Sequence, residues 1–221
     1  MQQDALRGYL TKLIPQNSGY SAELEQDALR RHIPVIDREA LHTLITLLHI
    51  NGTSRILEIG TAVGYSAIRL LEEIPELEVI SIERDKARAY EAEVNVKKAG
   101  LTERFQLIRG DAVESAQQAA QYGPFDALFI DAAKGSYDVF FRTFEPMVKP
   151  GGLITADNVL FRGYVPGTAE PESRRFINMS DKLRSFNESL MSSDQFQTMI
   201  LPVGDGLLAA RKKEKNTSVD M

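Results

Sequence analysis

Two aspartates, an asparagine and a lysine stand where hydrophobic runs end. In "FDALFIDAAKGSYDVFF", residues 125–141, an apolar run gives way to Asp131 and, three residues on, Lys134; in "GLITADNV", residues 152–159, a second run delivers Asp157 and Asn158. Neighbouring parallel strands bring their carboxyl ends into one crevice. Two carboxylates and a carboxamide meeting there form three hard oxygen ligands, which suit Mg²⁺ or a similar divalent cation with positions left for water or substrate oxygens. A lysine beside such a cation is usable as a base, because its charged form is disfavoured, and the cation acidifies any hydroxyl it binds. The chemistry expected is therefore the activation of a hydroxyl as a nucleophile. None of His32, His42 and His49 has a partner at ligand spacing near these strand ends, so zinc and iron are not expected.

The co-reactant is suggested by the strand ends that come earlier in the chain. "LEIGTAVGYS", residues 57–66, offers Glu58, then Gly60 and Gly64, then Ser66 opening a helix. A dinucleotide loop wants G-x-G-x-x-G, whereas Ala62 occupies the place of the second glycine and an acid precedes the loop. Glu58 would repel a pyrophosphate but suit an ammonium or sulfonium, while the helix start and the Ser66 hydroxyl are placed to take a carboxylate. "EVISIERD" ends in Glu83, 23 residues beyond Gly60, where an acid can take a ribose diol. "FQLIRGDA" ends in Asp111-Ala112, a carboxylate and a backbone N–H able to read an adenine edge. Amino acid, ribose and adenine together describe S-adenosylmethionine. A hydroxyl facing its sulfonium methyl would undergo an inline methyl transfer in which the protein mainly positions the reactants.

The elements that must hold these residues follow from periodicity. Residues 1–50 read as helices, in "ALRGYLTKLI", "AELEQDALRRHI" and "REALHTLITLLHI", with breaks at Pro15 to Gly19 and at Ile33-Pro34. From Arg55 short apolar runs alternate with helical stretches, the pattern of βαβ units and a parallel sheet, with "KPGG" as the turn closing the last crossover. "LFRGYVPGTAEPES" reads as a loop and "RRFINMSDKLRSFNESLMSS" as a helix. "FQTMILPVGDGLLAARKK" reads as two strands joined at Asp205-Gly206, which ends the parallel sheet in an antiparallel pair. The expectation is one α/β domain over 1–221: an N-terminal helical segment (1–50), a cofactor-binding and catalytic core (51–213) and a flexible tail (214–221).

At this point the motifs carry a likeness. "LEIGTAVGYSAIRL", "SIERD", "GDA", "FIDAAKGSY", "ITADNVLFRG" and "PVGDGL" resemble the metal-dependent class I O-methyltransferases of the catechol and caffeoyl-CoA type, over residues 30 to 212. Within that family the chain is most similar to short bacterial members that methylate 5-hydroxyuridine at the tRNA wobble position to 5-methoxyuridine. The resemblance implies a Rossmann-like class I methyltransferase sheet, mostly parallel with an antiparallel C-terminal strand and flanked by helices. It implies S-adenosylmethionine contacts at Ile36, Glu58, Gly60, Ser66, Glu83, Asp111, Ala112 and Asp131, with the backbone of Ile36 mattering more than its side chain. It also implies metal ligation by Asp131, Asp157 and Asn158, a basic role for Lys134, and a homodimer, here through the N-terminal helices. "DAAKGSY" departs from animal catechol enzymes, which are bulkier near the metal, and the chain lacks the long insertion expected for gripping a coenzyme A ester.

The acceptor needs two adjacent oxygens, one to be methylated and one to chelate. Catechols and hydroxycinnamates have them, and so does 5-hydroxyuridine, so the site motifs admit both. Net charge is −5, with 26 Lys and Arg against 31 Asp and Glu, so nucleic-acid binding would need a local basic patch. Arg162, Arg174, Arg175, Lys182 and Arg184 after the fifth strand, and Arg211, Lys212, Lys213 and Lys215 at the end, offer phosphate contacts around the mouth of the site for a tRNA anticodon loop. Phe161 and Tyr164 are candidates for stacking on a flipped-out base. The chain has no cysteine, no signal-like N-terminus and no long apolar run, so a cytoplasmic location without membrane partners is expected.

Overall fold

The computed structural model describes residues 2–214; Lys215 and the rest of the expected tail lie outside the described residues. Three helices, α1 (Gln2–Leu13), α2 (Gly19–Arg30) and α3 (Arg38–Ile50), precede the sheet. The alternation then runs β1 (Arg55–Ile59), α4 (Tyr65–Glu73), β2 (Glu78–Glu83), α5 (Lys86–Lys98), β3 (Phe105–Arg109), α6 (Ala116–Ala120), β4 (Phe125–Ile130), α7 (Tyr137–Phe144) and β5 (Val148–Ala156). The chain continues as α8 (Arg174–Met191), β6 (Phe196–Leu201) and β7 (Leu207–Lys212).

The seven strands are ordered β3-β2-β1-β4-β5-β7-β6, parallel except that β7 runs antiparallel to both β5 and β6. Chain order reverses between β1 and β4, which makes the carboxyl ends of those two strands the expected place for a ligand. The apolar runs are nearly continuous because both faces are covered. Leu57, Ile80, Ile108, Leu128 and Ile154 pack with Phe140, Phe144, Leu183 and Phe186 of α7 and α8 on one face. Ile56, Val79, Ala127 and Phe129 pack with Leu24, Leu44, Ile68 and Val96 of α2 to α5 on the other. On α1, the Thr11 hydroxyl bonds to the Glu39 carboxylate of α3 and so ties the first helix to the body.

One boundary departs from the sequence reading. Lys149-Pro150-Gly151-Gly152 is not a turn but part of β5, which begins at Val148 and pairs there with Phe125; the register then jumps to Ala127 against Leu153. Pro and Gly read as a turn locally, but the strand absorbs them as an irregularity. A Cβ on Gly152 would lie 2.8 Å from the Asp126 carbonyl oxygen, so only glycine lets the two backbones approach this closely.

Candidate active site

Each strand end is fixed by one hydrogen bond beyond the regular ladder. The Gly60 amide donates to the Ile82 carbonyl, Gly110 to Glu83, Asp131 to Ile59 and Asp157 to Ile130, all at 2.9 to 3.0 Å. Gly60 has φ of 102°, and a Cβ there would sit 2.1 Å from the carbonyl oxygen of Asp131. The loop after β1 and the turn after β4 are thus pressed together in a way that excludes any side chain at this position.

Between these ends lies a cleft of about 270 Å³, lined by Ile36, Gly60, Ser66, Glu83, Asp111, Ala112, Asp131, Lys134, Asp157 and Asn158. These are all of the expected site residues except Glu58. Thr61, Ala62, Val63, Tyr65, Arg84, Arg88 and Phe140 are among the other residues of the wall, and none was expected as a site residue.

Glu58 is placed behind the lining. Its side chain points to the same face as that of Ile56, toward α4, and the parallel register sets Ser81 of β2 directly beside it. The hydroxyls of Ser66 and Ser81 each donate to it at 2.5 Å, and Ser81 also meets the Thr61 hydroxyl. Glu58 is fully buried, and burial pushes its pKa up to about 7 against the pull of the two serines. Glu58 thus lies behind the cleft wall and holds Ser66, which lines it, through a hydrogen bond.

Glu83 retains its expected place. Its two oxygens accept backbone N–H bonds from Ala62 and Asp85, at 2.9 and 2.8 Å, which orient the carboxylate at the cleft and leave lone pairs for hydroxyl donors. Asp111 caps its own turn by accepting from Val113 at 3.0 Å. On the far side, Ile130 pairs with Ala156, so the next residues, Asp131 and Asp157, stand side by side as the spacing predicted.

Asp157 is 1 % exposed, and neither of its carboxylate oxygens has a hydrogen-bond partner. Burial, with the charge of Asp131 added to it, raises its pKa to about 8. Burial also raises the pKa of Asp131, while the Lys134 charge pulls it back. A buried carboxylate with no partner must stay protonated or hold a cation. Among the described residues no group of three His, Cys, Asp or Glu is placed to hold a metal ion, so the donors available are two carboxylates and the Asn158 amide. Asn158 takes a left-handed φ of 56°, which asparagine tolerates better than most residues. The orphaned oxygens of Asp157 and this hard donor set fit a divalent cation.

Two residues that brace the segment 157–159 were missed. The Tyr137 hydroxyl donates to the Asp157 carbonyl at 2.8 Å, and the Asn187 amide of α8 donates to Val159 at 3.0 Å. Both resemble ordinary interior positions, so only the fold shows what they hold.

The acceptor side corrects two further expectations. Phe161 and Tyr164 are buried and pack edge-to-face with each other, and both pack on Phe176, so neither is free to stack on a base. Leu208 pairs in register with Ala156 and Arg211 with Leu153, so the antiparallel β7 runs away from the carboxyl end of β5. Arg211, Lys212 and Lys213 therefore lie at the opposite end of the sheet from the cleft, and Lys212 is occupied by Glu145 at 2.7 Å. Arg184 is likewise occupied, by Asp181 and the Val165 carbonyl. Arg162, Arg174 and Arg175 remain exposed.

A doubly covered sheet in this order, with an acid-flanked glycine loop at its switch point and two carboxylates at the next strand ends, defines a class I methyltransferase. A sequence profile of the O-methyltransferase family matches residues 17–213, and the chain belongs to that family. It is 28 % identical to caffeoyl-CoA O-methyltransferase 2 of Populus trichocarpa over 228 residues, covering 96 % of this chain and 90 % of the relative. It is 39 % identical to the catechol O-methyltransferase of Niastella koreensis over 141 residues, covering 60 % of this chain and 64 % of the relative. A Staphylococcus aureus structure with the provisional name caffeoyl-CoA O-methyltransferase superposes with a TM-score of 0.87 at 32 % identity, covering 94 % of this chain and 99 % of that one. The Bacillus cereus O-methyltransferase, solved in complex with SAH, gives a TM-score of 0.79 at 28 % identity, covering 95 % and 97 %. The chain is accordingly an S-adenosylmethionine-dependent O-methyltransferase of the caffeoyl-CoA and catechol type. Among the described residues no helix is long and apolar enough to cross a membrane.

Proposed function

We propose that the chain transfers the methyl group of S-adenosylmethionine to the 5-hydroxyl of 5-hydroxyuridine at the wobble position of a tRNA anticodon loop, in the cytoplasm, giving 5-methoxyuridine. The observation that carries the reading is the partnerless carboxylate of Asp157, side by side with Asp131 and near Lys134 at the end of the cofactor cleft. Glu83 and the Asp111-Ala112 corner take the ribose and adenine, the Gly60 loop and Ile36 take the methionine end, and Glu58 holds that loop through Ser66. Asp131, Asp157 and Asn158 would hold Mg²⁺ or a similar divalent cation, which when bound supplies Lewis acidity to a hydroxyl with a neighbouring oxygen. Lys134 takes up the hydroxyl proton. The oxygen then forms its bond to the methyl carbon as the carbon–sulfur bond breaks, and the bonding pair returns to sulfur, leaving S-adenosylhomocysteine.

A tRNA acceptor is supported by the exposed cations Arg162, Arg174 and Arg175 following β5. A second reading, methylation of a small catechol or hydroxycinnamoyl compound, is favoured by the names of the relatives. Nucleoside mass spectrometry of tRNA from cells with and without the gene separates the two: methoxyuridine is expected to vanish without it, and an unchanged level rejects the tRNA reading. With purified protein, Asp157→Ala and Lys134→Ala are expected to abolish methyl transfer, and wild-type activity in both would reject the mechanism.

The chain is further proposed to act as a homodimer. Leu6, Tyr9, Leu10 and Leu13 follow the i, i+3, i+4, i+7 spacing of one helix face on α1, and all four are exposed.

A further inference from the structure

The segment after Asn158 carries a feature that the reaction leaves unused. Phe161, Arg162 and Gly163 have φ angles of 42°, 55° and 76°, three consecutive left-handed residues of which only the last is glycine. Strain of this kind persists where neighbours over-determine it and concentrates at ligand sites. Here the Phe161 amide donates to the Asn158 carbonyl at 3.2 Å, the Leu160 amide to the Asp205 carbonyl at 3.0 Å, and the Arg162 amide to Asp205 Oδ1 at 2.5 Å. Arg162 therefore leaves the backbone one tight turn beyond Asn158. Asp205 feels the positive charge of Lys134, which lines the cleft, as well as that of Arg162.

The guanidinium lies over the ring of Phe176, its carbon 5.7 Å from the centroid. Phe176 is itself held by Phe161 and Tyr164, so the buried aromatics that do not stack on a base instead form a platform under this arginine. Arg162 is exposed, and among the described residues no carboxylate side chain pairs with its guanidinium. A planar guanidinium fixed on one face by a ring offers its N–H edge to an oxyanion.

We infer that Arg162 is a specificity-determining residue that binds an anionic group carried by the acceptor, and that this anion is a phosphodiester adjoining the methylated nucleotide. The source of the anion rests on the tRNA reading above; the recognition of an oxyanion does not.

The test uses the full chain with Arg162→Gly, which suits the left-handed backbone while removing the guanidinium, and with Arg162→Lys, which keeps charge but loses the planar fork. On an anticodon stem-loop RNA bearing 5-hydroxyuridine, Arg162→Gly is expected to raise KM about tenfold with kcat within about twofold. The slope of log(1/KM) against log salt should fall by about one, and Arg162→Lys should restore that slope but only part of KM. Unchanged affinity for S-adenosylhomocysteine checks the fold of each variant. If the wild type ignores the RNA but methylates catechols, the tRNA reading fails while the residue's role is still testable. The preference for 3,4-dihydroxybenzoate over neutral catechol, as a ratio of kcat/KM, should then drop about tenfold in Arg162→Gly. A KM, salt slope and charge preference all within twofold of wild type, or a fall in kcat alone, would overturn the inference.

Discussion

Replacing Glu58 with glutamine should remove a pH dependence that burial builds into the sheet. The carboxyl is fully buried, and its pKa stands at about 7 against 4.5 for a free glutamate side chain. A raised folded value means that, between those two pH values, the folded chain keeps a proton that the unfolded chain releases. The stability it contributes is complete below about pH 4.5 and is lost as pH rises through 7. At about 1.36 kcal/mol for each tenfold change in proton affinity, the loss approaches about 3 kcal/mol by pH 8. Glutamine has nearly the same shape, does not titrate, and still offers polar atoms to the Ser66 and Ser81 hydroxyls. Urea unfolding of Glu58→Gln and wild type, each without cofactor and with a chelator, should be followed from pH 4 to pH 8. Far-UV circular dichroism is the suitable signal, since the chain has no tryptophan. The stability difference between the two proteins is expected to move by about 3 kcal/mol in favour of glutamine across that range. Curves that stay parallel within about 0.5 kcal/mol would refute the reasoning.

Tyr137→Phe deletes the hydroxyl that holds the Asp157 carbonyl. It is expected to cost about 1–3 kcal/mol of stability and to lower kcat/KM about tenfold while cofactor affinity stays within twofold; unfolding curves and calorimetry check the two parts. Leu10→Asp places a charge in the middle of the exposed face of α1. Sedimentation at micromolar concentration should show a dimer for wild type and a monomer for the variant, and a monomeric wild type would remove the dimer proposal.

Most of the sheet was legible because a doubly covered parallel strand must be apolar along its length, and the change to a charged residue at its end is sharp. Glu83, Asp131 and Asp157 were found in this way, since each is the first acid at the end of such a run. Glu58 shows the limit of that signal. It lies inside β1 rather than past its end, and only the register with Ser81 turns it from a cleft residue into a buried brace. Arg211 to Lys213 failed for a different reason. Their charge was plain, and it is the antiparallel direction of β7, itself expected, that carries them to the end of the sheet away from the cleft. Phe161 and Tyr164 were misjudged because a loop with two glycines and two prolines reads as open, whereas left-handed residues fold it back onto α8.

The Asp205-Gly206 bend has a consequence for how the molecule is made. Val159 and Leu160 donate their amides to the carbonyls of Gly206 and Asp205, so the segment behind the cleft hangs on residues more than forty positions later in the chain. A polypeptide emerging from the ribosome presents β1 to β4, and with them the cofactor corner, well before that anchor exists. The acceptor side is therefore the last part of the site to be completed, and a chain cut short before Asp205 would lack the support for the side that receives the acceptor.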